Sequence, residues 1–280
     1  MPIYSMKEIL KDAEVNKYGV GFFNAVNMEM TRACIRAAED LKSPIIIGTA
    51  ESLLKYGDFD WLLPMMIDAG RRATVPVAIH LDHAYQMDTI MKALRHGFGS
   101  VMFDGSLLPV EENIRISKEI IKVAHAMDAG VECELGKVGG LEEGEGVIGE
   151  NQYTNVSDVV DFVDKTEVDF LAISIGTTHG NYKEAPKLDL VRLAEIREIT
   201  DVALVLHGGS GLSEQDFRNC IAGGIQKINI YTDVVTAASN AACREDENPI
   251  GYMELLKNTE DAMYDVVANS LKVFGSDNRA

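Results

Sequence analysis

The chain has 280 residues, 46% hydrophobic and 25% charged, with a formal net charge of −18. That length buries one large core, and the composition is that of a folded enzyme rather than a disordered or fibrous chain. The acidic balance excludes a nucleic-acid backbone or an anionic membrane surface as partner, because those affinities come from clustered Lys and Arg; a small phosphorylated molecule stays compatible, since helix N-termini bind phosphate through backbone amides.

From the N-terminus, Met1 to Lys7 offers no basic segment leading into an apolar one, and no later apolar run reaches membrane-spanning length. Cys34, Cys133, Cys220 and Cys243 are scattered, with no paired spacing, as expected of reduced thiols in a cytoplasmic protein. Short apolar runs then recur along the chain: Gly19 to Asn24, Pro44 to Thr49, Pro76 to Leu81, Ser100 to Asp104, Val131 to Leu135, Val168 to Ile175, Val202 to Leu206 and Ile225 to Asn229. Amphipathic stretches separate them, as in Glu111 to Met127, where Ile114, Ile116, Ile120, Ile121 and Val123 line one side. Eight strands alternating with helices, and no Pro, Gly or Ser-rich linker, predict an α/β fold of one domain over 1–280, a closed (β/α)8 barrel. Gly136 to Asn151, with five glycines after its first, is too long and Gly-rich for an ordinary βα turn and reads as a mobile lid. Tyr252 to Phe274 reads as an additional C-terminal helix.

Active sites of this barrel gather at the C-terminal ends of the strands. Alternation in the third strand sets Val77, Ile79 and Leu81 on one face and Ala78, His80 and Asp82 on the inward one, with His83 just past the strand end. The fourth run ends at Asp104, the fifth carries Glu132 and Glu134 on one face, the sixth leads to Thr178, His179 and Gly180, the seventh ends at His207 and the eighth at Asn229. His83, His179 and His207 come from three different strands that a barrel mouth brings together. Three neutral imidazoles form a catalytic zinc set with a fourth position open. His96 and His125 fall in or at the ends of helices and carry no assigned chemistry. After His207, the run Gly208-Gly209-Ser210-Gly211 precedes a helix, and Asn229, Tyr231 and Thr232 precede another. Loops after the seventh and eighth strands form the usual phosphate site of this fold.

Taken in order, Phe23-Asn24, His80-Leu81-Asp82-His83, Val101 to Ser106, Glu132 to Gly136, Gly139-Gly140, His179-Gly180, Leu206 to Gly211 and Lys227-Ile228-Asn229 resemble the class II, metal-dependent ketose-bisphosphate aldolases, in particular the shorter members that include tagatose- and fructose-bisphosphate aldolases. The resemblance covers essentially the full chain. It implies that His83, His179 and His207 hold a catalytic Zn2+, that Asp104 and Glu134 orient it or hold a second metal position, and that Asp82 exchanges the proton of the ketose C4 hydroxyl. It further implies that Asn24, Thr49, Gly180, Gly208, Gly209, Ser210, Asn229, Ile230, Tyr231 and Thr232 contact the substrate and its phosphate, near which a monovalent cation, Na+ or K+, can sit. Lys183, after the sixth strand, is expected near that phosphate. Glu142, in the lid, matches the glutamate that moves the proton on the carbon of dihydroxyacetone phosphate, and Arg279 is the candidate for the distal end of the substrate. The implied reaction is reversible cleavage of a ketose 1-phosphate or 1,6-bisphosphate to dihydroxyacetone phosphate and an aldehyde, by a homodimer or homotetramer. A related phosphorylated sugar acid or non-bisphosphate ketose, a metal-dependent hydrolase on the same fold, and a non-catalytic sugar-phosphate binder stay open. A Schiff-base aldolase would need a lysine in the sixth strand, and Phe170 to Gly176 contains none.

Overall fold

The computed structural model describes residues 3–140, 152–182, 184–243 and 251–280. The first half runs α1 (Met6–Asn16), β1 (Val20–Asn24), α2 (Met28–Leu41), β2 (Ile45–Ala50), a 3-10 turn (Glu51–Lys55), α3 (Phe59–Arg72), β3 (Val77–Ala84), α4 (Met87–His96), β4 (Ser100–Phe103), α5 (Val110–His125) and β5 (Gly130–Leu135). The second half continues with β6 (Gly139–Gly140), α6 (Val156–Thr166), β7 (Phe170–Ile173), β8 (Thr178–His179), α7 (Leu190–Ile199), β9 (Ala203–Leu206), α8 (Glu214–Ala222), β10 (Ile225–Ile230), α9 (Thr232–Ala242) and α10 (Tyr252–Val273).

Eight of these strands close into a parallel barrel in the order β1-β10-β9-β7-β5-β4-β3-β2, so the expected (β/α)8 architecture with its C-terminal helix is present. Both sides of such a sheet are covered, and the two strand faces separate cleanly. Outward residues such as Ile47, Ile79, Val101, Val131, Leu171, Leu204 and Ile228 join the helices in one buried shell. Inward residues Val20, Phe22, Ile46, Ala78, Phe170 and Val205 form a second cluster, closed from below by Met6, Ile9, Leu10 and Ala13 of α1. That helix starts with a capping box in which Ser5 and Glu8 satisfy each other's backbone amides. Packed against strands at opposite points of the ring, it stoppers the N-terminal end and leaves the C-terminal mouth as the entrance.

Two features depart from the strand pattern read in the sequence. First, β3 does not end before His83. Its pairing with β4 runs His80 to Ser100 and Leu81 to Val101, then shifts so that Ala84 pairs with Phe103, one residue extra on β3. This is a β-bulge, and it sits at Asp82 and His83. Second, β6 and β8 pair with each other above the barrel, matching Gly139 with Thr178 and Gly140 with His179. A side chain on Gly140, at φ +103°, would put its Cβ 2.2 Å from the His179 carbonyl oxygen, so glycine permits this approach. The first residues of the expected lid are therefore held in backbone pairing, with Lys137 also bridged to Gln152. Residues 141–151 lie outside the described ones.

Candidate active site

An uninterrupted strand sends neighbouring side chains to opposite faces. The bulge in β3 cancels that rule, and His83 takes φ +32°, a conformation that non-glycine residues adopt sparingly. As a result Asp82 and His83 both reach the mouth and both are buried. His179 arrives from β8 and His207 from the end of β9. One ligand atom from each of His83, His179 and His207 lies within 4.8 Å of the others. The ring of His83 stands edge-on to His207 at 4.5 Å and to His179 at 5.0 Å between centroids.

Carboxylates set the orientation of two of these rings. His83 Nδ1 lies 2.9 Å from Asp104 Oδ2, and His207 Nε2 lies 2.7 Å from Glu132 Oε1. A carboxylate only accepts, so the proton of each neutral ring belongs on the nitrogen that faces it. The bare nitrogens are then His83 Nε2 and His207 Nδ1, and these face each other at 2.7 Å. Two lone pairs converging in a buried site require a positive charge between them, which a shared proton or a cation provides. Burial also favours the neutral, ligand form of two of the imidazoles: it pushes His179 down to about 3 and His207 well below its ordinary value. Beside the trio, burial and the neighbouring Asp104 raise Glu134 well above the usual carboxylate range; its Oε1 accepts from Val138 N at 3.1 Å, while its buried Oε2 has no hydrogen-bond partner. His83, Asp104 and Glu134 form another set of converging donors. Nitrogen donors, carboxylate partners and an orphaned buried carboxylate oxygen together fit a divalent ion such as zinc.

Asp82 is clamped at both oxygens. Asn24 Nδ2 donates to Oδ2 at 2.9 Å and Asn229 Nδ2 to Oδ1 at 3.0 Å. Burial alone would raise this carboxyl, but His83, Lys227, His207 and the Asn24 amide outweigh it and hold it below the ordinary range. The other amide atoms, Asn24 Oδ1 and Asn229 Oδ1, are buried acceptors without a partner.

One cavity joins this clamp to the loops after β8, β9 and β10. Its walls are Asn24, Asp82, His179 and Gly180 on one side and Gly208, Gly209, Ser210, Asn229, Tyr231 and Thr232 on the other. Gly208 has φ +64°, and a Cβ there would fall 2.5 Å from the Thr178 carbonyl oxygen. Tyr182 pins the same loop, its hydroxyl donating to Gly208 O at 2.7 Å and accepting from Thr178 N. The backbone amides of Tyr231 and Asp233, at the start of α9, donate to Ser210 Oγ at 3.3 and 3.2 Å. A Gly-rich loop meeting a helix N-terminus is an anion-binding arrangement.

Three of the expected site residues, Thr49, Ile230 and Arg279, do not line this cavity. Thr49 shares the outward parity of Ile45 and Ile47 and does not line the cavity, and the Ile230 side chain packs in the strand–helix shell. Arg279 sits at the opposite end of the barrel: its amide donates to Lys42 O, and its guanidinium lies 5.6 Å from the Tyr18 ring centroid, just ahead of β1. Glu142 and Lys183 fall outside the described residues. Conversely, Glu132 and Lys227, which no strand-end position singles out in the sequence, are fully buried. A lysine amid the apolar residues of β10 was a legible signal, since a charge on the inward face of a barrel strand needs a buried partner.

A (β/α)8 barrel with a three-histidine donor set, a clamped carboxylate and an anion-binding loop at its mouth defines an enzyme built to act on a small anionic substrate. Residues 4–279 match the family model described as fructose-bisphosphate aldolase class-II, and the chain belongs to that family, as an aldehyde-lyase. It is 39% identical to the fructose-bisphosphate aldolase of Geobacillus stearothermophilus over 100% of this chain and 99% of that one. Among solved structures, the YdjI aldolase of Escherichia coli K12 superposes with a TM-score of 0.90 at 34% identity over 100% of both chains. A putative fructose-1,6-biphosphate aldolase of Coccidioides immitis gives 0.92 at 30% identity, over 98% of this chain and 97% of that one. Among the described residues, no helix is long and apolar enough to cross a membrane.

Proposed function

We propose that this chain, acting as one catalytic domain, reversibly cleaves a ketose 1-phosphate or 1,6-bisphosphate of the fructose or tagatose type to dihydroxyacetone phosphate and an aldehyde. The carrying observation is Asp82, a buried carboxylate oriented by Asn24 and Asn229 beside three imidazoles and opening into the cavity of the Gly208 to Ser210 loop. A hydrolase would activate water and a sensor would need no base. A clamped carboxylate at the sugar end of an anion site suits removal of a hydroxyl proton.

His83, His179 and His207 would hold one Zn2+, with Asp104 and Glu134 offering a second metal position. Zinc bound there supplies Lewis-acid stabilisation of the negative charge that carbon–carbon cleavage leaves behind. Asp82 accepts the C4 hydroxyl proton in the cleavage direction and returns it in condensation. Gly180, Gly208, Gly209, Ser210, Tyr231 and Thr232 bind the phosphate, with Lys183 and a Na+ or K+ ion as further candidates. Holding that end fixes the scissile bond relative to Asp82 and turns binding energy into orientation. The unpartnered Oδ1 atoms of Asn24 and Asn229 accept hydrogen bonds from substrate hydroxyls. Glu142 is assigned the proton on the carbon of dihydroxyacetone phosphate. The protein is proposed to act in the cytoplasm as a homodimer or homotetramer. The test is a retro-aldol screen of ketose 1-phosphates and 1,6-bisphosphates with coupled detection of dihydroxyacetone phosphate. Release from at least one of them is expected; no release from any sinks the donor assignment.

A further inference from the structure

Beneath the mouth lies a layer of polar side chains that the proposed reaction does not touch. Glu132 of β5, Lys227 of β10 and His80 of β3 are fully buried inside the barrel. Lys227 Nζ donates to Glu132 Oε2 at 2.8 Å and stands 4.6 Å from the Phe22 ring centroid. Among the described residues Glu132 Oε2 is its one acceptor within hydrogen-bonding reach. The other oxygen, Oε1, meets His207 Nε2 at 2.7 Å. Exchanging a buried ion pair for apolar residues is frequently neutral or stabilising, so the pair earns no explanation from stability alone.

We propose that Glu132 is a positioning residue whose acceptor oxygens, Oε2 bound to Lys227 and 3.5 Å from His80 Nε2, and Oε1 bound to His207, hold His207 in the tautomer that presents Nδ1 to the metal. The proposal rests on the reading that His207 is a metal ligand. The logic lies in donor and acceptor counts. Lysine has three donors and no acceptor, and a carboxylate is all acceptor, so Glu132 satisfies Lys227 and still receives the Nε2 proton of His207. An amide in its place has one oxygen and one NH2. Lys227 claims the oxygen, because an NH2 facing the buried ammonium would set donor against donor. The NH2 then turns to His207 and donates to Nε2, which drives the ring proton to Nδ1 and removes the lone pair from the metal. An amide replacing a carboxylate that orients a functional histidine produces this wrong-tautomer outcome elsewhere.

The conflict comes from Lys227, so removing Lys227 should relieve it. In Glu132→Gln the zinc dissociation constant, read by competition of the zinc-loaded protein with a chromophoric chelator, is expected to rise about 10- to 100-fold, the usual effect of losing a partner that orients a ligand. In Glu132→Gln/Lys227→Met the amide oxygen is free to face His207, and affinity is expected to return to within about three-fold of wild type. The 15N shifts of His207 follow the same pattern, with Nε2 protonated in wild type and in the double variant. A purely structural role predicts that the double variant, missing both partners, is worse than the single one. Unchanged zinc affinity in Glu132→Gln, or a double variant no better than the single, overturns the proposal. If the single variant does not fold, the double variant decides: near-wild-type affinity supports the proposal and lost affinity overturns it. A wild-type protein that binds no zinc overturns the metal reading and this proposal with it, whereas wild-type binding with an indifferent Glu132→Gln overturns this proposal alone.

Discussion

Replacing Asn24 by leucine, a side chain of similar size without polar atoms, deprives Asp82 Oδ2 of the donor that sits 2.9 Å away and leaves only the Asn229 bond at 3.0 Å to hold the carboxylate. A hydrogen bond to a charged group contributes about 1.5–3 kcal/mol. If that energy orients Asp82 in the transition state, kcat/KM falls by about ten- to a hundred-fold. The pH profile should move as well. The Asn24 donor favours the ionised form of Asp82, so its loss raises this carboxyl, and the acid limb of kcat/KM moves to higher pH. The same substitution removes Asn24 Oδ1, a buried acceptor for the substrate, which should appear as a higher KM. The assay is steady-state retro-aldol cleavage between about pH 5 and 8, on protein whose zinc content matches wild type. Activity within about two-fold of wild type with an unmoved acid limb would refute the assignment of Asp82 as the oriented base.

Chelation is expected to abolish cleavage, and zinc or cobalt to restore it; full turnover by a verified metal-free preparation would contradict this. Asp82→Ala should remove cleavage while zinc content stays at wild-type level, and normal turnover by that variant would take Asp82 out of the mechanism. Gly208→Ala places a side chain at φ +64° and 2.5 Å from the Thr178 carbonyl oxygen, a strain costing roughly 1–3 kcal/mol, and should lower Tm and raise KM for phosphorylated substrates; an unchanged KM would separate this loop from the phosphate. Metal-free protein should lose stability below pH 6.5. His179 is held at about 3 when folded against 6.5 when unfolded, so the unfolded chain binds the extra proton between those values, and stability present above pH 6.5 declines by up to about 1.4 kcal/mol per unit on acidification. A denaturation midpoint that stays flat from pH 7 to 5 would disprove that.

The barrel was legible because its strands are short apolar runs with polar residues at their ends, and because the helices between them carry a different period. The same rule places Asp82, His83, His179, His207 and the two loops at the barrel mouth, where the structure has them. What escaped depends on three dimensions. No local signal marks the bulge at His83, since an extra residue in one strand exists only relative to its neighbour. The stopper helix α1 is short, and its apolar positions acquire meaning once the barrel has an open end to cover. Arg279 looked suited to an anion because it is a cation near the end of the chain. The backbone bonds from Asn278, Arg279 and Ala280 to the end of α2 fix it at the far side of the barrel. Lys227 and Glu132 could have been paired by parity, but their shared dependence on His207 appears only when β5, β9 and β10 are seen in one ring.

The extra residue in β3 couples two proposed functions by covalent geometry. Asp82, the proton acceptor, and His83, a metal ligand, are consecutive, and their Cα atoms stand about 3.8 Å apart whatever the rest of the barrel does. Breathing between strands, which would widen or narrow the mouth, changes the distance from either residue to His207 or to the phosphate loop. It cannot draw the two apart. The barrel thus carries base and ligand as one cassette on a single strand, and deleting one residue from that bulge would turn one of the pair away from the mouth while every other residue of the site kept its identity.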